Sequence, residues 1–172
     1  MSESRRDELA GHNYWNELIA MRDGQRERVK TAVQVVRGDE LPQENNELGL
    51  LRWYMHPAID DTILSTLMFY EQELPPRSRS GRLKFQGGQV MYILSGKGYT
   101  TIDGVKHPWK TGDVLNLPIR RDGIVVQHVN DDESVAAKFL ACEPNWFEAT
   151  GVDRGSGFEL IEPSTEFRKT DV

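Results

Sequence analysis

Cysteine is nearly absent from this chain of 172 residues, which holds Cys142 alone. One thiol makes no intramolecular disulfide, so the stapled scaffolds of small secreted proteins are excluded and a reducing, cytoplasmic setting is expected. Positive charge is not in excess. The 21 Lys and Arg stand against 27 Asp and Glu, a net charge of −6, whereas a nucleic-acid partner needs a basic footprint. No apolar run reaches the roughly 20 residues that span a bilayer as a helix. The opening MSESRRDELAG lacks the apolar stretch of a signal peptide, so no membrane partner is expected either. There is no glycine-rich phosphate loop leading into a helix, and no serine in a Gly-x-Ser-x-Gly elbow. Histidine is scarce as well: His12, His56, His107 and His128 are the full set.

What is present is mostly β in character. Residues 7–22 carry Leu9, Tyr14, Trp15, Leu18, Ile19 and Met21 near helical spacing, which predicts a helix broken by Gly24. TAVQVVRG is β-branched and reads as a strand, although RERVK could carry a helix into it; LPQENNELG reads as a polar loop. From Leu50 onward LLRWYMHP, TILSTLMFYEQELPP, VMYILSG, GYTTIDG, VKHPW, DVLNLP, GIVVQHVN and VAAKFLACE follow as strands. Turn signals separate them at Gly96-Lys97-Gly98, Asp103-Gly104, Gly112-Asp113 and Asp122-Gly123. After Pro144, NWFEATG suggests one helical turn. Many short strands at this spacing predict an all-β, antiparallel barrel with an N-terminal helical appendage. The expected division is a helix and lead-in at 1–49, a barrel at 50–143, and a tail at 144–172 packing on the barrel.

Two stretches carry a more specific signal. MYILSGKGYTTIDG is an apolar strand running into a glycine turn, and GDVLNLPIRRDGIVVQHVN runs from Gly-Asp through a proline to a histidine just before Asn130. In this order and at this spacing the region from Ser80 to Asn130 resembles the cupin superfamily, in particular its small single-domain bacterial members. The resemblance implies a double-stranded β-helix, or jelly roll, with the ligand site inside the barrel. It also implies a metal held by a His-x-His pair, a glutamate and a later histidine.

This chain departs from that ligand pattern. In one alignment the His-x-His positions fall on Arg82 and Lys84 and the glutamate on Gln89; shifted by one they fall on Leu83, Phe85 and Gly88. The later position falls on Val126, with His128 two residues on and therefore on the same strand face. Alternation puts Leu83 and Phe85 on one face and the two cations on the other. The expected pocket lining is Leu83, Phe85, Gln89, Met91, Ile93, Ile124, Val126 and His128. No cofactor is expected. If iron, zinc, manganese or nickel were bound, His128 and Gln89 would hold it, too few strong donors for tight binding. His128 could instead be an acid/base or hydrogen-bonding group, or a barrel histidine satisfied by its neighbours.

The remaining candidates have plainer readings. His56 could approach the barrel mouth, but strand-end packing is the simpler role; His107 and His12 fall on the surface. Tyr54, Tyr70 and Tyr92 could offer hydroxyls, yet aromatic strand residues usually pack in cores. Arg52 and Arg82 could attract a carboxylate but read as solvated charge. Cys142 reads as a buried structural thiol, and Asp60-Asp61 and Asp131-Asp132 as turn residues. Three function classes stay open. The first is a small-molecule-binding protein with a degenerate metal site, its pocket suited to a compact aromatic or keto acid. The second is a metal-dependent, dioxygenase-like enzyme acting on an aromatic or diketone substrate. The third is a non-catalytic sensor or assembly protein. A homodimer is expected, because LLRWYM and STLMFY leave more apolar surface than one small barrel covers.

Overall fold

Alternation of apolar and polar residues builds the strands. In a computed structural model, which describes residues 4–59, 61–62, 64, 66–145 and 158–167, every second side chain of LMFYEQEL and of AKFLACEP is buried, as the period of a half-buried strand requires. The described strands are β1 Glu44–Asn46, β2 Gly49–Met55, β3 Leu67–Leu74, β4 Arg82–Phe85, β5 Val90–Ser95, β6 Lys97–Ile102, β7 Val105–Lys110, β8 Val114–Asn116, β9 Ile124–Val129, β10 Ala137–Pro144 and β11 Glu159–Glu162.

They form two antiparallel sheets, ordered β1-β2-β3-β10-β5-β8 and β11-β4-β9-β6-β7. The eight strands from β3 to β10 divide as β3-β10-β5-β8 against β4-β9-β6-β7. This is the two-sheet strand order of a jelly roll, so the predicted all-β double-stranded β-helix is the fold. Leu51, Leu74, Met91, Ile93, Ile124 and Phe139 are fully buried in its core. Two turns need glycine. Gly87 has φ +89° and Gly96 φ +81°, and a Cβ at either would overlap neighbouring backbone.

The chain divides into two compact units, Met1–Gln34 with Asp61–Ile63, and Val35–Asp60 with Leu64–Val172. The first contains two helices, α1 Arg5–Leu9 and α2 Tyr14–Thr31, rather than the single helix expected over 7–22. The break falls at Gly11, with φ +95°, and Asn13 then caps α2 by accepting from the Asn16 N–H at 3.0 Å. Gly24 lies inside α2 because Arg, Gln, Glu and Lys around it are good helix formers that outweigh a cost of about 1 kcal/mol. Among the described residues no helix is long and apolar enough to cross a membrane.

Several strand boundaries also differ from expectation. TAVQVVRG is not a strand: α2 consumes its first residue, and only Val33 makes an isolated bridge, to Thr62. The polar loop LPQENNELG contains β1, which pairs with β2 from Glu44 opposite Leu51 to Asn46 opposite Gly49. The strand in TILSTLMFYEQELPP starts at Leu67. The tail supplies β11, paired with β4. Apart from Asn145, the turn expected over NWFEATG lies outside the described residues.

Candidate functional site

Between the two sheets the barrel leaves a cavity of about 390 Å³, within the range of small-molecule pockets. One wall comes from β4 and β9. Leu83 lies opposite Val126 and Phe85 opposite Ile124; Leu83, Phe85 and Val126 face the cavity. Alternation carries His128 to the same face. Its backbone is pinned from both sides, because its N–H donates to Ser80 Oγ at 2.9 Å and its carbonyl accepts from the Ser80 N–H at 2.9 Å.

Behind the His128 ring is a buried polar relay. Thr100 Oγ1, on β6, lies 2.8 Å from His128 Nδ1. Trp109 Nε1, on β7, donates to the same hydroxyl at 3.0 Å. Phe139 meets the imidazole edge-on, with ring centroids 5.0 Å apart. Burial disfavours the imidazolium and pushes the His128 pKa down to about 4. The ring is therefore neutral at physiological pH.

The opposite wall comes from β3, β10 and the residue before β5. Gln89 Nε2 donates to Tyr70 Oη at 2.9 Å and to Glu143 Oε2 at 3.2 Å. Glu143 is buried, and burial raises its pKa to about 7 against the opposing pull of the Gln89 hydrogen bond. The Tyr70 phenol is raised above its usual range, first by burial and then by the neighbouring Glu143 charge. Aromatic rings frame this end. Trp53 lies 4.8 Å from Tyr70 and 4.8 Å from His56, while on the facing β4 wall Phe158 lies 5.5 Å from Phe85, centroid to centroid.

Of the residues expected at the pocket, Leu83, Phe85, Gln89, Val126 and His128 line the cavity. Met91, Ile93 and Ile124 do not. They share the inward strand faces, but each is fully buried in the hydrophobic core, because the inward positions pack against the opposite sheet wherever the barrel is closed. His56 does line the cavity, and its Nδ1 accepts from the Ala58 N–H at 3.0 Å. His12 and His107 are exposed. Arg52 pairs with Glu71 and Arg82 with Glu162. Tyr92 is exposed, and Tyr54 packs on Phe69. Cys142 is half-buried, on the face of β10 opposite Glu143, rather than a core thiol, and burial raises its pKa.

Glu143 is a buried cavity residue that sequence reasoning did not single out. Its signal was available: in AKFLACEP it occupies the same alternating face as Ala137, Phe139 and Ala141. A carboxylate on an otherwise apolar face is costly to bury unless it is paired or hydrogen-bonded, so it stands out there. Trp53, Thr100 and Trp109 gave no comparable signal, since aromatic and β-branched residues are ordinary strand formers.

The donor set does not suit a metal. Among the described residues no three of His, Cys, Asp or Glu converge in a way that could hold an ion. The His-x-His face carries Leu83 and Phe85, and the later position carries Val126. First-row metals need several convergent imidazole, thiolate or carboxylate donors.

Comparison with known proteins places this architecture. No family model matches the chain. A predicted oxalate decarboxylase from Thermotoga maritima is 25% identical, with a TM-score of 0.51 over 63% of this chain and 96% of that one. A cupin-like protein from the same species aligns with a TM-score of 0.53 at 15% identity, over 76% of this chain and 90% of that one. The chain has the cupin fold. The polyketide cyclase RemF from Streptomyces resistomycificus superposes on this chain with a TM-score of 0.57, over 78% of this chain and 89% of that one, at 14% identity. Likenesses at 14% or 15% show the fold alone. In sequence, the chain is 26% identical over 96 residues to the 5-aminosalicylate 1,2-dioxygenase of a Comamonas species. That match covers 56% of this chain and 25% of the dioxygenase, so the chain spans about a quarter of the relative it matches.

Proposed function

We propose that this cupin binds a compact, uncharged aromatic compound in the barrel cavity without a metal, as a small-molecule binder or enzyme. The observation that carries this reading is the contrast between the two parts of the cavity. Its body is walled by Trp53, Leu83, Phe85, Val126 and Phe158; His56, Gln72 and Ser80 are bonded to nearby backbone, and the other polar side chains gather at His128 and at the Tyr70–Gln89–Glu143 cluster. Such a pocket accepts a flat apolar body and orients one polar substituent.

Charge narrows the ligand. No lysine or arginine is among the described residues that line the cavity. A carboxylate ligand would be desolvated beside Glu143 with no lysine or arginine among the described lining residues to pair, which is costly in a buried site. The neutral member of the aromatic class is therefore preferred to an aromatic or keto acid. The relative named as a dioxygenase supports an aromatic ligand; its oxidative chemistry is not carried over, because the donor set here does not suit a metal.

Calorimetric titration of EDTA-treated protein with p-cresol and with p-toluate tests the reading. The two differ in the polar end alone. The cresol is expected to bind at least about tenfold more tightly, a difference of about 1.4 kcal/mol. Tighter binding of the toluate, or binding of neither, would overturn it.

A further inference from the structure

Proton bookkeeping around Thr100 decides what His128 presents to the cavity. Thr100 is fully buried, and its hydroxyl carries one proton. Trp109 Nε1 can only donate, so it occupies a lone pair of Thr100 Oγ1. The Thr100 proton then needs an acceptor, and His128 Nδ1 stands 2.8 Å away. Were the proton on Nδ1 instead, two donors would point at one hydroxyl whose own proton had no acceptor, an arrangement costing about 1–3 kcal/mol. Nδ1 is therefore the acceptor. The neutral imidazole carries its proton on Nε2, on the edge away from Thr100.

The other polar end is similarly constrained. Gln89 Nε2 spends its protons on Tyr70 Oη and Glu143 Oε2. Among the described residues none accepts the Tyr70 proton in return. The cavity thus offers a neutral N–H, a phenolic O–H and a carboxyl group with a free oxygen. Two hydrogen-bond donors and a base are the parts needed to enolise a carbonyl compound.

We propose, building on the binding reading above, that this cupin moves a proton on the carbon next to the carbonyl of a compact aromatic ketone, with Glu143 as the base and His128 Nε2–H and Tyr70 O–H as donors to the carbonyl oxygen. Glu143 takes the proton as the C–H bond breaks. The bonding pair becomes the new C=C bond, and the carbonyl π electrons move to oxygen as an enolate held by the donors. Return of the proton from Glu143 to carbon restores the ketone, or to oxygen releases the enol. No oxidant or metal enters the balance. A carboxyl held near neutrality is suited to this exchange, and a histidine neutral down to about pH 4 acts as a donor rather than a cation. Thr100 and Trp109 are positioning residues: they set the tautomer and touch no substrate. In this tautomer Nε2 carries the proton and has no in-plane lone pair.

Deuterium uptake by phenylacetone in heavy water, with the full-length EDTA-treated protein, reads the proton transfer. Quenching of tryptophan fluorescence reads binding of the same probe. Imidazole nitrogen resonances in isotope-labelled protein read the tautomer. Wild type is expected to speed benzylic exchange about a hundredfold or more over buffer, the usual scale of general base catalysis. Glu143→Gln is expected to lose that exchange while still binding the probe. His128 is expected to show a protonated Nε2 and bare Nδ1, retained in Thr100→Ser and lost in Thr100→Val, with exchange falling in the valine variant. Binding without exchange, exchange undiminished in Glu143→Gln, or a bare Nε2 in the native protein would each overturn this proposal and leave the binding reading intact. Failure of the probe to bind would overturn both.

Discussion

Replacing Glu143 by glutamine should stabilise the protein at alkaline pH and leave it unchanged in mild acid. The side chain is buried, and its pKa rises from 4.5 to about 7 mainly through burial. Ionising it in the fold is therefore harder than in the unfolded chain by about 3 kcal/mol. The sign follows from the proton count. A carboxyl whose folded pKa is raised contributes stability that is full below its unfolded value of 4.5 and is lost as pH rises through about 7. Glutamine has no charge to desolvate and keeps an oxygen to accept the Gln89 N–H. At about pH 8.5 the Glu143→Gln variant should exceed wild type by up to about 3 kcal/mol, and near pH 4.5 the two should agree within about 0.5 kcal/mol. Urea titrations at both pH values, followed by tryptophan fluorescence, measure the difference directly. A variant less stable than wild type at alkaline pH, or a difference independent of pH, would show that Glu143 is not a buried, reluctantly ionised acid.

Other consequences are equally concrete. The His128 imidazole, depressed from 6.5 to about 4 by burial, should show no titration in proton NMR above about pH 5; its contribution to stability is full above 6.5 and lost as pH falls through about 4, so urea midpoints should decline on that side too. Gln89→Leu removes the donor that holds Tyr70 and Glu143 together. It should cost about 1–3 kcal/mol near neutral pH and push the Glu143 titration higher, readable by carboxyl NMR. Gly87→Ala should destabilise by more than about 1 kcal/mol in the same urea assay, because φ is +89° and a Cβ would overlap the Pro118 carbonyl oxygen.

The barrel was legible because its signals are local. Glycine turns such as Gly96-Lys97-Gly98 and strand alternation such as Ile124, Val126, His128 survive any packing detail. Alternation alone also put Leu83 and Phe85 on the cavity face and Arg82 and Lys84 on the other. It could not separate cavity from core. Ile124 and Val126 share a face two residues apart and both pack in the core, yet only Val126 also reaches the cavity, a difference set by the opposite sheet. Glu143 reached the site through pairing of β10 with β3 and β5, strands far from it in sequence. The Thr100 and Trp109 relay likewise depends on β6 lying between β7 and β9. In the helical unit Gly24 looked like a stop because glycine is a poor helix former, but one weak residue does not end a run of strong ones.

The claim that this barrel serves its ligand without a metal is tested most directly by one paired titration. Protein stripped with EDTA and protein loaded in turn with iron(II), zinc, manganese and nickel are each titrated with p-cresol by calorimetry. The donor set predicts the same affinity in every sample, within about twofold, and no metal retained in stoichiometric amount after gel filtration. Cresol binding that appears only with a stoichiometric, retained metal would contradict the account and favour a metal-dependent enzyme.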